Sequence, residues 1–246
     1  MIRNYKFTIV YDGGRYYGWQ RLGNKDTIQG RIENVLSKMC DREVTINGAG
    51  RTDAGVHAKG MVANAVLECE MTPEEIKSYV NSYLPDDIAI KSVSVAAERF
   101  HARYNATGKS YTYTCYVGQI KPVFDRKYVT VLSKMPDVEA MKKAARYLIG
   151  EHDFFSFQGN SKMKKSTVRN IDNIDIVLKN DYLYFNYHGD GFLQNMVRIL
   201  TGTLLEVGYG NMKPENMTDI LEAKDRSKAG PKMPPEGLCL LKVDYD

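Results

Sequence analysis

The sequence predicts an α+β protein built from two successive α/β units, 1–104 and 105–246. Three observations carry that prediction. Apolar residues alternate with a period of two in short stretches such as Tyr5-Lys6-Phe7-Thr8-Ile9-Val10 and Tyr111-Thr112-Tyr113-Thr114-Cys115. They recur at helical spacing elsewhere, as in Ile28, Ile32, Val35, Leu36 and Met39. The order strand, helix, strand, strand, helix, strand is complete within about 100 residues, a usual domain size, and a second series then begins.

In the first unit, Tyr5–Val10 reads as a strand. A glycine-broken loop follows, Tyr11-Asp12-Gly13-Gly14-Arg15-Tyr16-Tyr17-Gly18-Trp19-Gln20, with three tyrosines and the only tryptophan. Its rings suit either of two tasks, stacking on a base or covering the edge of the core. The helix from Ile28 has Asp26 and Gln29 in capping-box spacing. Val44 and Ile46 before the Gly48–His57 stretch, and Met61, Ala63 and Ala65 after it, predict two strands. Thr72-Pro73-Glu74-Glu75 supplies a cap, a first-turn proline and an acidic first turn to a second helix facing inward through Ile76, Tyr79, Val80 and Tyr83. Pro85-Asp86-Asp87 ends it, and Ile88, Ile90, Val93 and Val95 continue as strand.

In the second unit, the Tyr111 strand precedes a helix that Asp137 caps, with Val138, Met141, Ala145 and Leu148 inward. Ile171, Ile174, Ile176 and Leu178 alternate imperfectly, and Lys179-Asn180-Asp181 then turns the chain into Leu183, Phe185 and Tyr187, a hairpin pattern. An apolar helix is expected from Phe192 to about Glu206, a short one over 214–223, and a last strand at Leu238–Leu241.

Composition narrows the function classes. At 43% hydrophobic and 26% charged the chain is ordinarily globular, and it has no run approaching the about 20 apolar residues of a membrane span. Its N-terminus enters a strand pattern without a signal-peptide core, so a soluble cytoplasmic protein without membrane attachment is expected. Cys40, Cys69, Cys115 and Cys239 are far apart and read as buried thiols. His57, His101, His152 and His188 are equally scattered, and no phosphate loop ending in Lys-Ser/Thr is present. Chemistry without metal or nucleotide cofactor is therefore expected. Net charge +4 with 17 tyrosines is compatible with an RNA or DNA surface and equally with half-buried strands.

Four features could carry chemistry. Gly48-Ala49-Gly50-Arg51-Thr52-Asp53-Ala54-Gly55-Val56-His57 presents a carboxylate and a guanidinium at the tip of a tight connection, as a site or as a self-capped turn. Arg198 is a lone charge on a greasy helix, beside Gln194, Asn195, Thr201 and Gly202; it suits an anion in a wet cleft or a structural ion pair. Tyr111 could stack on a ligand base or simply sit in an amphipathic strand. The linker Gly159–Arg169 holds Lys162, Lys164, Lys165 and Arg169 without an acid, either for phosphate contact or as a solvated loop.

Beyond these residues, eight segments in order resemble the tRNA pseudouridine synthase A family. They are Tyr11-Asp12-Gly13 with Tyr17-Gly18-Trp19-Gln20, Gly50–His57, Phe100-His101-Ala102-Arg103, Lys109–Tyr113, His152–Phe157, Met196-Val197-Arg198, Ala223-Lys224-Asp225-Arg226 and Pro235-Glu236-Gly237-Leu238. The resemblance implies the pseudouridine synthase fold, two α/β domains with largely antiparallel sheets joined across a central basic cleft. It also implies a homodimer, free of metal and cofactor, that converts uridine to pseudouridine at positions 38, 39 and 40 of the tRNA anticodon stem-loop. It makes Asp53 the catalytic residue, sets Arg51 beside it, brings Tyr111 to the target base and pairs Arg198 with the aspartate. Lys109 stands where arginine is frequent in the family, keeping the charge for RNA while losing the bidentate fork.

Three functions remain to be distinguished. One is this isomerisation, at these or other tRNA positions. The second is tRNA binding without chemistry, which has no need of an acid in a glycine-rich tip. The third is a nucleoside hydrolase, which ordinarily needs two carboxylates where one stands out here.

Overall fold

A computed structural model describes residues 1–159 and 165–246. The chain divides into two compact units, Met1–Thr107 with Leu240–Asp246, and Gly108–Cys239. A domain read as one contiguous stretch cannot anticipate that the closing residues return to the first unit.

In the first unit, β1 (Ile2–Tyr11) lies between β4 (Ile88–Val95) and β3 (His57–Glu68), antiparallel to both. The short β2 (Asn47–Gly48) pairs with β3, Asn47 opposite Asn64 and Gly48 opposite Ala63. The alternation at Val44 and Ile46 therefore marks buried positions, while paired strand begins only at Asn47. Tyr5, Phe7 and Ile9 of β1 are fully buried, as period two requires of a face covered by helices. Those helices are α1 (Ile28–Met39) and α2 (Pro73–Tyr83).

The start of α1 differs from the sequence expectation. Thr27, in extended conformation, caps it by accepting from Gly30 N, whereas both oxygens of Asp26 are engaged by Arg31. Gln29 turns inward instead of capping. In α2 the expected Thr72 cap forms, and it is a full capping box: Thr72 Oγ1 accepts from Glu75 N, and Glu75 Oε2 accepts from Thr72 N. Its buried face is Ile76 and Val80, with Tyr83 64% exposed because the stripe outlasts the surface it covers.

The second unit contains an antiparallel run in which β9 (Tyr182–Gly189) lies between β5 (Gly108–Tyr116) and β8 (Val168–Lys179), with β7 (Gly150–Asp153) beyond β8. A two-residue β6 (Thr130–Val131) adds to β5 in parallel. Lys179 faces Tyr182 across Asn180 and Asp181, both with positive φ, the two-residue turn that matches strand twist. The imperfect alternation of β8 has a cause: the register slips between Ile171 and Asn173, so a bulge moves the inward set by one residue.

Against this run pack α3 (Val138–Arg146), capped by Asp137, and α4 (Met196–Gly208); α5 (Asn216–Ala223) follows. The apolar helix expected from Phe192 begins at Met196, because Asn195 adopts the left-handed conformation (φ 61°) and breaks the run. Two family-like segments hold each other here. Lys224 Nζ lies 2.8 Å from Asp153 Oδ2, and Ser156 Oγ accepts from Asp225 N while donating to Ile220 O. β10 (Leu238–Asp244) ends the ordered strands. Of the four thiols only Cys115 is buried, and burial pushes its pKa up; the other three are half-buried. Among the described residues no helix is long and apolar enough to cross a membrane.

A buried amide pair shapes the Phe100–Arg103 segment. Asn4 Nδ2 donates to the carbonyls of Ala97 and Phe100, and Asn64 joins Asn4 Oδ1 to Ala102 N. Asn64→Ala leaves several of these buried groups unpaired and is expected to lower stability by about 1–3 kcal/mol, measured by urea unfolding.

Candidate active site

The loop between β2 and β3 is short and pinned. Ala49 N donates to Val62 O, extending the ladder by one residue. Thr52 is buried, with half-buried Asp53 and exposed Arg51 on either side, so the middle side chain anchors the loop while its neighbours face outward. Thr52 Oγ1 lies 2.8 Å from Tyr11 Oη, and Thr52 O accepts from Trp19 N at 3.1 Å. Gly55 N donates to Tyr16 O. The loop with the rings and the loop with the acid are thus one hydrogen-bonded body.

Packing confirms the interlock. A Cβ at Gly48 would sit 2.5–2.8 Å from the Trp19 indole. Gly18 has φ +89°, and a Cβ there would meet Thr52 O at 2.6 Å. Tyr11, Tyr16 and Trp19 are all nearly buried, so these rings cover the core edge; Tyr17 alone of the loop's rings is exposed. The glycine at 48 accordingly leaves room for the indole. His57 is buried beneath the loop with Nδ1 3.0 Å from Asp12 Oδ1.

Asp87 anchors the outer side. Its Oδ1 accepts from Tyr16 Oη at 2.6 Å and from Arg15 Nη2 at 3.0 Å, and its carbonyl accepts from Asp12 N. Burial pushes the Asp87 carboxyl up, yet the bonds from Arg15 and Tyr16 outweigh it and hold its pKa below the usual range. The Tyr16 hydroxyl is raised, by burial first and by Asp87 second.

In the second unit Tyr111 is 9% exposed, opposite Tyr187 in register and edge-on to Phe192 at 5.2 Å between centroids. Lys109, on the same strand opposite Gly189, is half-buried. Arg198 is buried in the first turn of α4, where Nε donates to Met233 O at 2.7 Å and Nη1 to Asn195 Oδ1 at 3.0 Å. The polar strip around it is partly closed by protein. Thr201 bonds Tyr187 Oη, and Gly202 admits the carbonyl of Pro231, which a Cβ would meet at 1.9 Å. Lys165 is exposed, and Arg169 is half-buried opposite His152. Lys162 and Lys164 lie outside the described residues.

Sequence reasoning passed over Glu33 and read Gln29 only as a capping partner, whereas both bond the segments at Arg21 and Ile46. The available signal was an acid inside the apolar stripe of α1: Glu33 is 2% exposed between Ile32 and Val35. Among the described residues no three His, Cys, Asp or Glu side chains converge as metal ligands.

Two outcomes test this geometry. Gly18→Ala forces a side chain into the left-handed region against Thr52 O and is expected to cost at least about 1–2 kcal/mol, followed by Trp19 fluorescence during urea unfolding. For Asp87, a lowered folded-state pKa means a stabilisation present above the unfolded value of about 3.9 and lost as pH falls through the folded one. The stability gap between wild type and Asp87→Asn is therefore constant near neutrality and closes on acidification below pH of about 4.

Comparison with known proteins agrees with this architecture. The family model described as tRNA pseudouridine synthase matches residues 8–105 and 144–246. The chain is 49% identical over 230 residues to tRNA pseudouridine synthase A of Bacillus sp. (strain KSM-64), covering 93% of this chain and 94% of that protein. It is 45% identical over 244 residues to tRNA pseudouridine synthase A 2 of Clostridium perfringens (strain 13 / Type A), covering 99% and 100%. A family match over most of the chain, together with near-half identity along whole relatives, places the chain in the tRNA pseudouridine synthase A family.

Proposed function

We propose that this isomerase acts on uridines of the tRNA anticodon stem-loop, at positions 38, 39 and 40, with Asp53 as the catalytic carboxylate. The observation that carries the reading is the Asp53 loop itself. Thr52 is tied to Tyr11 and Trp19, so the half-buried acid beside it is held on an ordered backbone next to a cation, Arg51. Preorganisation of this kind is what a reaction at a single sugar carbon requires.

The isomerisation breaks the bond from C1′ to N1 of uracil, turns the base, and forms a bond from C1′ to C5. The C5 proton is lost and N1 gains one, so composition is unchanged. A stacked base cannot be reached, and the nucleotide must leave the helix first. Asp53 can serve as nucleophile at C1′ or as base toward the sugar; both routes need the ionised carboxylate, which a neighbouring guanidinium favours.

The family resemblance gives Tyr111 the task of holding the detached uracil, and its edge-on contact with Phe192 supports a fixed ring plane. It gives Arg198 to the carboxylate, and the bonds to Met233 and Asn195 support an ordered guanidinium. Lys109, Lys165 and Arg169, with Lys162 and Lys164, are assigned to phosphates, a salt-sensitive contribution. A cytoplasmic homodimer completes the proposal, tested by light scattering.

The deciding experiment is incubation of wild type and Asp53→Asn with tRNA transcripts, then mapping of pseudouridine by position. Wild type is expected to modify 38, 39 and 40. Asp53→Asn is expected to lose at least about 1,000-fold in rate while tRNA affinity stays within about threefold, the mark of an interaction made in the transition state. Full turnover by Asp53→Asn removes Asp53 from the chemistry. Tight binding by wild type with no pseudouridine identifies a tRNA-binding protein instead.

A further inference from the structure

We propose that Glu33 is a positioning residue for the Asp53 loop, acting through Gln29 and Trp19; the proposal rests on the reading of Asp53 as catalytic. Glu33 sits on the apolar stripe of α1, where a carboxylate is costly to bury without partners. It has three. Oε1 accepts from Gln29 Nε2 at 2.8 Å and from Ile46 N at 3.0 Å, and Oε2 lies 3.0 Å from Arg21 Nη2.

Gln29 extends the grip. Its Oε1 accepts from Arg21 N at 3.0 Å, its Nε2 also reaches Ile46 O at 3.1 Å, and its backbone N donates to Trp19 O at 2.9 Å. Two side chains one helical turn apart thus fasten two backbone points, at Arg21 and Ile46, while the backbone of Gln29 holds Trp19. Both fastened segments lead to the acid. Trp19 N donates to Thr52 O, next to Asp53, and Ile46 runs into Gly48, whose α-carbon lies against the Trp19 indole.

For stability alone an acid is a poor choice here, because a well-packed apolar residue in place of a buried charge is often neutral or stabilising. What the carboxylate adds is direction. It fixes where Ile46 and, through the Gln29 side chain, Arg21 stand, the two segments that flank Trp19, and so where the backbone of Thr52 and Asp53 is presented. Displacing reacting groups by about 1 Å can cost about a hundredfold in rate.

The test compares wild type, Glu33→Leu, Glu33→Gln and Gln29→Ala in single-turnover pseudouridine formation at saturating enzyme, with tRNA affinity measured separately. Trp19 is the only tryptophan, so its emission reports the loop directly. Glu33→Leu is expected to slow the reaction about ten- to hundredfold while affinity changes less than about threefold, and to red-shift Trp19 emission in the folded protein. Glu33→Gln keeps the acceptor and is expected to restore the emission and bring the rate within about threefold of wild type. A Glu33→Leu rate within about twofold of wild type overturns the proposal. So does a slowed enzyme whose Trp19 emission is unshifted. If Glu33→Leu does not fold, Gln29→Ala decides on the same two readouts. Asp53→Asn run alongside separates the two readings: turnover retained there removes the catalytic assignment, whereas the Trp19 emission of Glu33→Leu still reports on the bracket.

Discussion

Thr52 joins two loops that are more than thirty residues apart in the chain, and the first unit is arranged so that they can meet. β1 ends at Tyr11 and β3 begins at His57, and the two strands are antiparallel neighbours. The loop leaving β1 and the loop entering β3 therefore emerge at the same end of the sheet. A register shift between Ile9 and Tyr11 bends β1 just where its loop departs. Glycine at 18 and 48 then removes the side chains that would hold the loops apart. The hydroxyl and carbonyl of Thr52, with the bond from Gly55 N to Tyr16 O, hold the loop that carries the acid.

The tyrosines illustrate how polar groups are used throughout. Tyr5, Tyr113 and Tyr187 are among the largest fully buried side chains. Tyr113 Oη contacts Thr130 Oγ1 at 2.6 Å and Pro234 O at 2.7 Å, and Tyr187 Oη contacts Thr201 Oγ1 at 2.8 Å. Burial raises the pKa of both hydroxyls. These rings supply apolar area while their hydroxyls fix neighbours in place. A tyrosine-rich composition here reflects strand packing to a large degree, so the aromatic content alone was a weak guide to RNA contact.

The same economy holds for charge. Glu33, Asp87 and Asp153 each end in bonds that fasten one segment to another, Asp153 through Lys224. Around Asp53 the backbone itself is tied down, through Thr52 to Tyr11 and Trp19 and through Gly55 to Tyr16.

Legible in the residues alone were the order of the longer elements, though not the short β6 and β7, the inward faces of β1, β5 and β9, the α2 and α3 caps and, through eight ordered motifs, the family. These are local or patterned properties, set by periodicity, capping chemistry and turn residues within a few positions of one another. The tertiary structure decided the rest. It moved the α1 cap from Asp26 to Thr27, because Arg31 engages Asp26; it delayed α4 to Met196 through the left-handed Asn195. It returned Leu240–Asp246 to the first unit and turned Trp19 from a possible stacking ring into a buried wall against Gly48. The last two depend on contacts between distant parts of the chain, which no window of neighbouring residues contains; the first two turn on local choices between competing partners and backbone conformations that apolar periodicity does not encode.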